Sequence, residues 1–278
     1  MASRRTWASI LQGGIRRIRS AAAVSPGIRH VLKAAHEAEF AQGRPPNALR
    51  GVYADFAEAA RAAPRSRPLG YDRPEMAGLY RGGLDRLNPH DYPVLFWMRH
   101  AIEHASRVFD FGGHVGVSYY GYEHYLNYPD TLTWTVYDVP AVTRDGTELA
   151  HRNGQPRLRF TTQIKDADGA DILLAAGSLQ YVEDGFLHRA LAELRDKPRH
   201  IIIQRIPLHD HRSFVTLQAT GPAFCPYNVA HRQTFIADLT AIGYELVDSW
   251  TCDRSLEIPF HPECHVPNYS GLYLKRID

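Results

Sequence analysis

Between Arg107 and Ile206 the sequence changes its period repeatedly, and that alternation limits the folds open to it. Five short β-rich runs, RVFDF (107–111), LTWTVYD (132–138), RLRFTT (157–162), ADILLAAG (170–177) and RHIIIQRI (199–206), alternate with helix-like stretches over 117–126, 142–153 and 184–194. Strands joined by crossover helices require a parallel sheet with both faces covered. ADILLAAG and RHIIIQRI are nearly continuous apolar runs, as strands buried on two sides must be. A helix over 231–243 closed by Gly243, then YELVDSW (244–250) and SGLYLKRI (270–277) as strands, completes an α/β domain.

The remaining segments carry breakers. Pro207, Pro222 and Pro226 make 207–230 read as a long irregular loop. Residues 44–68 read as a connector with one short helix near 54–63. A helical stretch is expected between Tyr71 and Ala105, ending in YPVLFWMRHAIEHAS. The organisation expected is therefore a basic N-terminal extension and connector over 1–70, helical in part, and an α/β domain with a mostly parallel sheet over 71–278.

With 278 residues, 44% of them hydrophobic, the chain can bury a full core. A net charge of +2 leaves no nucleic-acid footprint. Residues 1–36 nevertheless hold seven cations and no acid, so the remainder sums to −5. That basic head reads either as a frayed leader followed by a helix packed on the main domain, or as Arg-studded helices in peripheral contact with an anionic membrane face. Its richness in Arg, Ala and Ser also suits a transit peptide. Cys225, Cys252 and Cys264 form no disulfide framework, and no apolar run reaches membrane-span length, so a reduced, cytoplasmic setting is expected.

The run RVFDFGGHVGVSYYGY (107–122) places Asp110 and then three glycines at a strand's carboxyl end, where open parallel sheets bind ligands. Gly112 and Gly113 permit positive φ and close approach of backbone to a ligand, and Gly116 permits tight helix–strand packing. The letters DFG lack the HRD motif and the lysine of a kinase. The spacing G-G-x-x-G departs from the dinucleotide fingerprint G-x-G-x-x-G.

Taken with the strands that follow, the run resembles motif I of class I S-adenosylmethionine-dependent methyltransferases. TVYD resembles that family's second strand, ADILLAAGSLQYVED its fourth strand and loop, and YELVDSW with SGLYLKRI its sixth and antiparallel seventh strands. The succession GVYADFAEAARAA, DFGGHVGVSYY, GSLQYVED and IIIQRIPLHDHRSFVTLQ is also similar to a bacterial group of methyltransferase-like proteins of unassigned substrate, from about Gly51 to the C-terminus. The resemblance implies a seven-stranded, mostly parallel sheet and S-adenosylmethionine as cofactor. Asp110, Gly112, Gly113 and Gly116 would hold its amino-acid end, Asp138 the ribose diol, and Asp166 or Asp168 the adenine edge. Asp138 lies 28 residues after Asp110, against roughly 20 between loop and ribose acid in related folds.

Tyr119 and Tyr120 would face the sulfonium and the acceptor, or else pack between helix and sheet. Ser178, Gln180 and Tyr181 fall where small-molecule methyltransferases face cofactor and acceptor. His209 or His211, beside Asp210, are candidate general bases, and Arg205 a clamp for an anionic acceptor. His261, Cys264 and His265, with Cys252, lack the spacing of a zinc module, so no metal is expected. Three functions stay open: methyl transfer to a small-molecule or saccharide-like acceptor, a non-catalytic cofactor-binding or interaction protein, and an NAD(P)-dependent oxidoreductase.

Overall fold

The computed structural model describes residues 26–80, 84 and 86–277. Its main sheet has seven strands: β2 (Arg107–Phe111), β3 (Thr133–Tyr137), β4 (Leu158–Thr161), β5 (Ile172–Ala176), β6 (His200–Ile206), β10 (Tyr244–Cys252) and β11 (Tyr269–Arg276). Their order is β10-β11-β6-β5-β2-β3-β4. Neighbours from β4 to β6 are parallel, and β11 is antiparallel to both β6 and β10. This is the Rossmann-like sheet, with its reversed seventh strand, that the resemblance implied.

Helices cover both faces. One side carries α4 (Tyr92–Ile102) and α5 (Val117–Glu123), whose Val94, Met98 and Tyr119 pack with Trp134, Leu174 and Ile202. On the other, α7 (Phe186–Ala192) and α8 (Arg232–Ala241) supply Leu187, Leu191 and Leu239 against Phe109, Leu173 and Ile201. Alternate residues of each central strand thus serve two cores, which explains their unbroken apolar runs. α6 (Pro140–Arg152) follows β3.

The stretch 207–230 is not irregular. It forms β7 (Leu208–His209), β8 (Phe214–Thr220) and most of β9 (Ala223–His231), and with β1 (Leu49–Tyr53) these make a second, four-stranded sheet in the order β1-β8-β9-β7. Gly221 opens the two-residue hairpin loop at φ +52, the region such turns require. Pro226 misled the reading of periodicity. β7 pairs with β9 only at Ala230 and His231, so the outer edge beside Pro226 tolerates a residue without an N–H. Residues 49–53, expected as connector, are the edge strand that pairs with β8, so this sheet draws on both sides of residue 70.

The expected short helix is α2 (Phe56–Arg61), capped by Asp55, whose side chain accepts from Glu58 N. The expected 71–105 helix is broken: α3 (Pro74–Ala77) is one turn, and only Tyr92–Ile102 is a full helix. α1 (Pro26–Ala41) packs on the second sheet through Phe40, stacked 5.0 Å from Phe224, and through Glu37, paired with Arg50 at 2.6 Å. Of the basic head over 1–36, to which the membrane and transit readings applied, residues 1–25 lie outside the described residues. No described helix is long and apolar enough to cross a membrane. All three cysteines are buried and free.

Candidate active site at the carboxyl ends of the strands

From β2 the chain crosses to β3 on one side, while β5 lies on the other, so the switch of direction falls between β2 and β5. The glycine loop lies there. Gly112 has φ +66 and donates its N–H to Tyr137 O at 2.7 Å. A Cβ on it would stand 2.3 Å from Ser178 Cβ, and Ser178 Oγ donates to Phe111 O. Ser178 thus locks the loop after β5 onto the loop after β2.

Gly113 is not left-handed, contrary to expectation. Glycine is needed because a Cβ would strike the Asp110 carboxylate at 2.3 Å. His114, which the sequence reading passed over, has φ +57 instead. Gly116 caps α5 at φ +93 with Leu158 close against it, the tight helix–strand packing expected.

Two acids flank the loop. Asp110 is fully buried, its Oδ2 accepting from Trp134 Nε1 at 3.1 Å, while Oδ1 has no partner among the described residues. Burial pushes its pKa up to about 7; the indole bond opposes the rise and Asp138 adds to it. Asp138 follows β3 directly. Because β2 and β3 run parallel, with Phe111 opposite Tyr137, the two acids share one end of the sheet despite their long separation. The extra residues lie between α5 and β3, where Leu126 and Leu132 are buried. Asp138 Oδ2 accepts from His114 N at 3.0 Å and Oδ1 from Val139 N at 2.8 Å. Burial raises its pKa to about 6, against those two amide bonds.

Of the two adenine candidates, Asp166 accepts from Thr161 Oγ1 at 2.5 Å, at the carboxyl end of β4. Asp168 has turned away to Arg195 Nε (3.1 Å) and the Asp196 amide (2.7 Å), next to the chain that enters β6.

Tyr119 and Tyr120 take the packing role. Tyr119 is 1% exposed, its ring 5.7 Å from Trp134 and its hydroxyl donating to Gln155 Oε1 at 2.8 Å. Tyr120 is 8% exposed in the same core, and its hydroxyl accepts from Asn153 Nδ2 at 3.4 Å. This is the second of the two roles expected for them, and α5 is buried from Ser118 through Tyr122.

The loop after β5 holds Gln180 and Tyr181. Gln180 Nε2 donates to Gly177 O at 2.7 Å, but its Oε1 has no partner among the described residues, nor has Asn228 Oδ1. Both residues line a cavity of about 20 Å³, room for one water. Tyr181 donates its hydroxyl to Gln218 Oε1 at 2.8 Å and packs between Tyr71 and Tyr227, joining the two sheets. Arg205, at φ +59, turns its guanidinium back over Gly177; Nη2 donates to Ala176 O at 3.0 Å, and Nε is buried without a partner among the described residues. It sets a cation at the carboxyl ends of β5 and β6.

His209 is pinned rather than poised. Its Nδ1 accepts from the amides of His211 (3.2 Å) and Arg212 (3.3 Å), so Nε2 carries the proton and donates to Glu263 O at 3.2 Å. Both of its nitrogens are therefore engaged within the fold. His211 is exposed, its ring 5.6 Å from that of His209. In the 261–265 segment, His261 faces Glu263 at 3.2 Å and Cys264 Sγ accepts from Arg212 at 3.1 Å. Among the described residues no group of three or more His, Cys, Asp or Glu could hold a metal.

Residues 71–77, read from sequence only as helix, span the loops that follow β2, β3 and β5. Tyr71 packs on His114 and Tyr181, Asp72 Oδ1 accepts from Ala141 N at 2.8 Å, and Met76 O meets His114 Nε2 at 3.0 Å. No local pattern signals these contacts, since each partner is at least 38 residues away.

No family model matches this chain, and no curated protein matches it. Solved structures do resemble it. The CcbJ methyltransferase of Streptomyces caelestis is 11% identical with a TM-score of 0.49, over 75% of this chain and 98% of that one. The Burkholderia thailandensis 1,6-didemethyltoxoflavin-N1-methyltransferase, solved with 1,6-didemethyltoxoflavin and S-adenosylhomocysteine, is 19% identical with a TM-score of 0.41, over 69% and 92%. The mitomycin 7-O-methyltransferase MmcR is 16% identical with a TM-score of 0.43, over 67% of this chain but only 54% of that one, so the match spans about half of its length.

Proposed function

We propose that the chain is an S-adenosylmethionine-dependent methyltransferase acting on a small-molecule or saccharide-like acceptor. The observation that carries this reading is the pair of acids around a glycine loop at the switch point, beside buried polar atoms left without partners. Asp110 Oδ1 is an unpartnered acceptor among the described residues, the kind of atom that the ammonium of an amino-acid end requires. Each oxygen of Asp138 accepts one backbone amide and keeps a lone pair for a ribose diol. The residues present therefore fit the cofactor, which would bring an electrophilic methyl group on a cationic sulfur.

Beyond holding it, the chain has to align an acceptor and exclude water. Residues 71–77, lying across three of the loops, are suited to exclude water, and Arg205 to receive an anionic group on the acceptor. If proton removal is needed, His211 is the member of the histidine pair with an exposed ring.

Calorimetric titration with S-adenosylmethionine, S-adenosylhomocysteine and, separately, NADH tests this. The expected result is micromolar binding of the first two, weakened about tenfold or more by Asp138→Ala, the worth of one or two charge-assisted hydrogen bonds. Binding of NADH alone would move the chain to the oxidoreductases. Binding of none would leave a non-catalytic interaction protein on the same fold.

A further inference from the structure

At the opposite, amino-terminal end of the sheet lies a groove of about 690 Å³, inside the size range of small-ligand sites. The last turn of α4 and the chain after it bring Arg99, His100, Glu103 and His104 to one wall. The other is made where β5 and β6 begin and the reversed β11 ends, at Asp171, Arg199, His200 and Lys275. The antiparallel direction of β11 is what delivers Lys275 to this end.

The groove has an unbalanced charge. Among the described residues, three cationic side chains and three imidazoles line it with two carboxylates, and Asp171 Oδ2 is already taken up by Ser106 N (2.7 Å), Ser106 Oγ (3.1 Å) and Arg107 N (2.9 Å). Neither Arg99 nor Lys275 is paired with a carboxylate among the described residues. The effect registers on His200, whose pKa is held down to about 4, first by burial and then by Lys275, His100 and Arg199, with Asp171 alone opposing.

The wall is also laced together by aromatic rings. Phe96 meets Trp97 edge-on at 4.9 Å, Trp97 stacks on Tyr273 at 4.1 Å, and Tyr273 stacks on the His200 ring at 5.9 Å. Trp97 Nε1 donates to Asp248 at 2.9 Å, and the Tyr273 hydroxyl engages His200 Nδ1 at 2.8 Å. This ladder fixes the imidazole by one nitrogen. It ends in Phe96, 65% exposed at the groove, which offers an aromatic face next to the cations.

We propose that this groove is a second binding site, for a small phosphate-bearing anion whose phosphoryl oxygens meet Arg99, Lys275 and His200. Guanidinium and ammonium groups converging on one cleft are the donors that phosphate oxygens select. The inference is independent of the methyltransferase reading, because the two sites lie at opposite ends of the strands.

The test is calorimetry with inorganic pyrophosphate and with ADP on the full chain, followed in parallel by NMR of the histidine ring protons. Saturable binding is expected, weakened on the order of tenfold by Arg99→Ala and again by Lys275→Ala, both exposed side chains, with the thermal midpoint as a check on folding. With pyrophosphate bound, the titration midpoint of His200 should rise by about one pH unit, because the anion offsets the cations that depress it. S-adenosylhomocysteine at saturation should leave pyrophosphate binding unchanged. No binding at millimolar pyrophosphate, binding indifferent to the double variant, or competition by S-adenosylhomocysteine would each overturn the proposal. A last arm uses phosphatidylcholine vesicles with and without phosphatidic acid. Sedimentation with the acidic vesicles in the absence of pyrophosphate binding would assign the groove to a lipid headgroup and refute a soluble ligand.

Discussion

Replacing Asp110 by asparagine removes one buried charge while keeping an acceptor for the Trp134 indole. In the folded chain burial holds this carboxyl at about 7, whereas an unfolded chain ionises it near the ordinary 3.8. Its folded pKa is raised, so its stabilising effect is complete below pH 4 and is lost as pH climbs to about 7. Linkage at about 1.4 kcal/mol per pH unit puts the loss between pH 4.5 and 8 at about 3 kcal/mol. Asp110→Asn escapes it. Urea unfolding of both proteins across that interval, followed by circular dichroism, should show the variant gaining on the wild type by about 3 kcal/mol as pH rises. A difference that stays flat to within about 0.5 kcal/mol would refute the assignment of Asp110 as a desolvated acid.

Two other substitutions probe the loops. Gly112→Ala forces a Cβ to within 2.3 Å of Ser178 at φ +66 and should cost about 2–3 kcal/mol; Ser178→Gly in the same chain should recover the contact part but not the backbone part, as read by thermal denaturation. His209→Ala leaves the Glu263 carbonyl and two amides without their partner and should lower stability by about 1–2 kcal/mol, while His211→Ala should leave the melting temperature unchanged and slow turnover; loss of turnover with His209 alone would reverse their roles.

The main sheet was legible because its evidence is local. RVFDF, ILLAA and HIIIQRI announce buried parallel strands by composition, and Gly243 at φ +98 ends its helix as a glycine in that place should. Asp110, Gly112 and Gly116 were legible for the same reason, since a strand followed by glycines places its own turn. The second sheet was not. Its strands come from residues 49–53 and 208–231, and Pro226 stands inside a buried strand that only an open edge makes tolerable.

Within the site, Tyr119 and Tyr120 show the limit most plainly. Their chemistry allowed either a ligand or a core, and the burial of α5 against Trp134 and Leu158 chose the core. His209 likewise has the chemistry of a base, but two amides and a carbonyl from distant positions use both of its nitrogens. Asp138 ran the other way: an awkward spacing in sequence became adjacency once β2 and β3 aligned in register.

What the sequence determined by itself was the period of each element, and through it the parallel sheet, its crossover helices and the glycine turn at the carboxyl end of β2. Those follow from bonds and sterics between near neighbours. The tertiary structure alone decided which polar atoms are buried without partners among the described residues, which histidine is already satisfied, and how the ends of β5, β6 and β11 meet α4 to bring Lys275 into a cationic groove. Such properties depend on what distant segments place beside a group, and desolvation and hydrogen-bond geometry arise only when those segments meet.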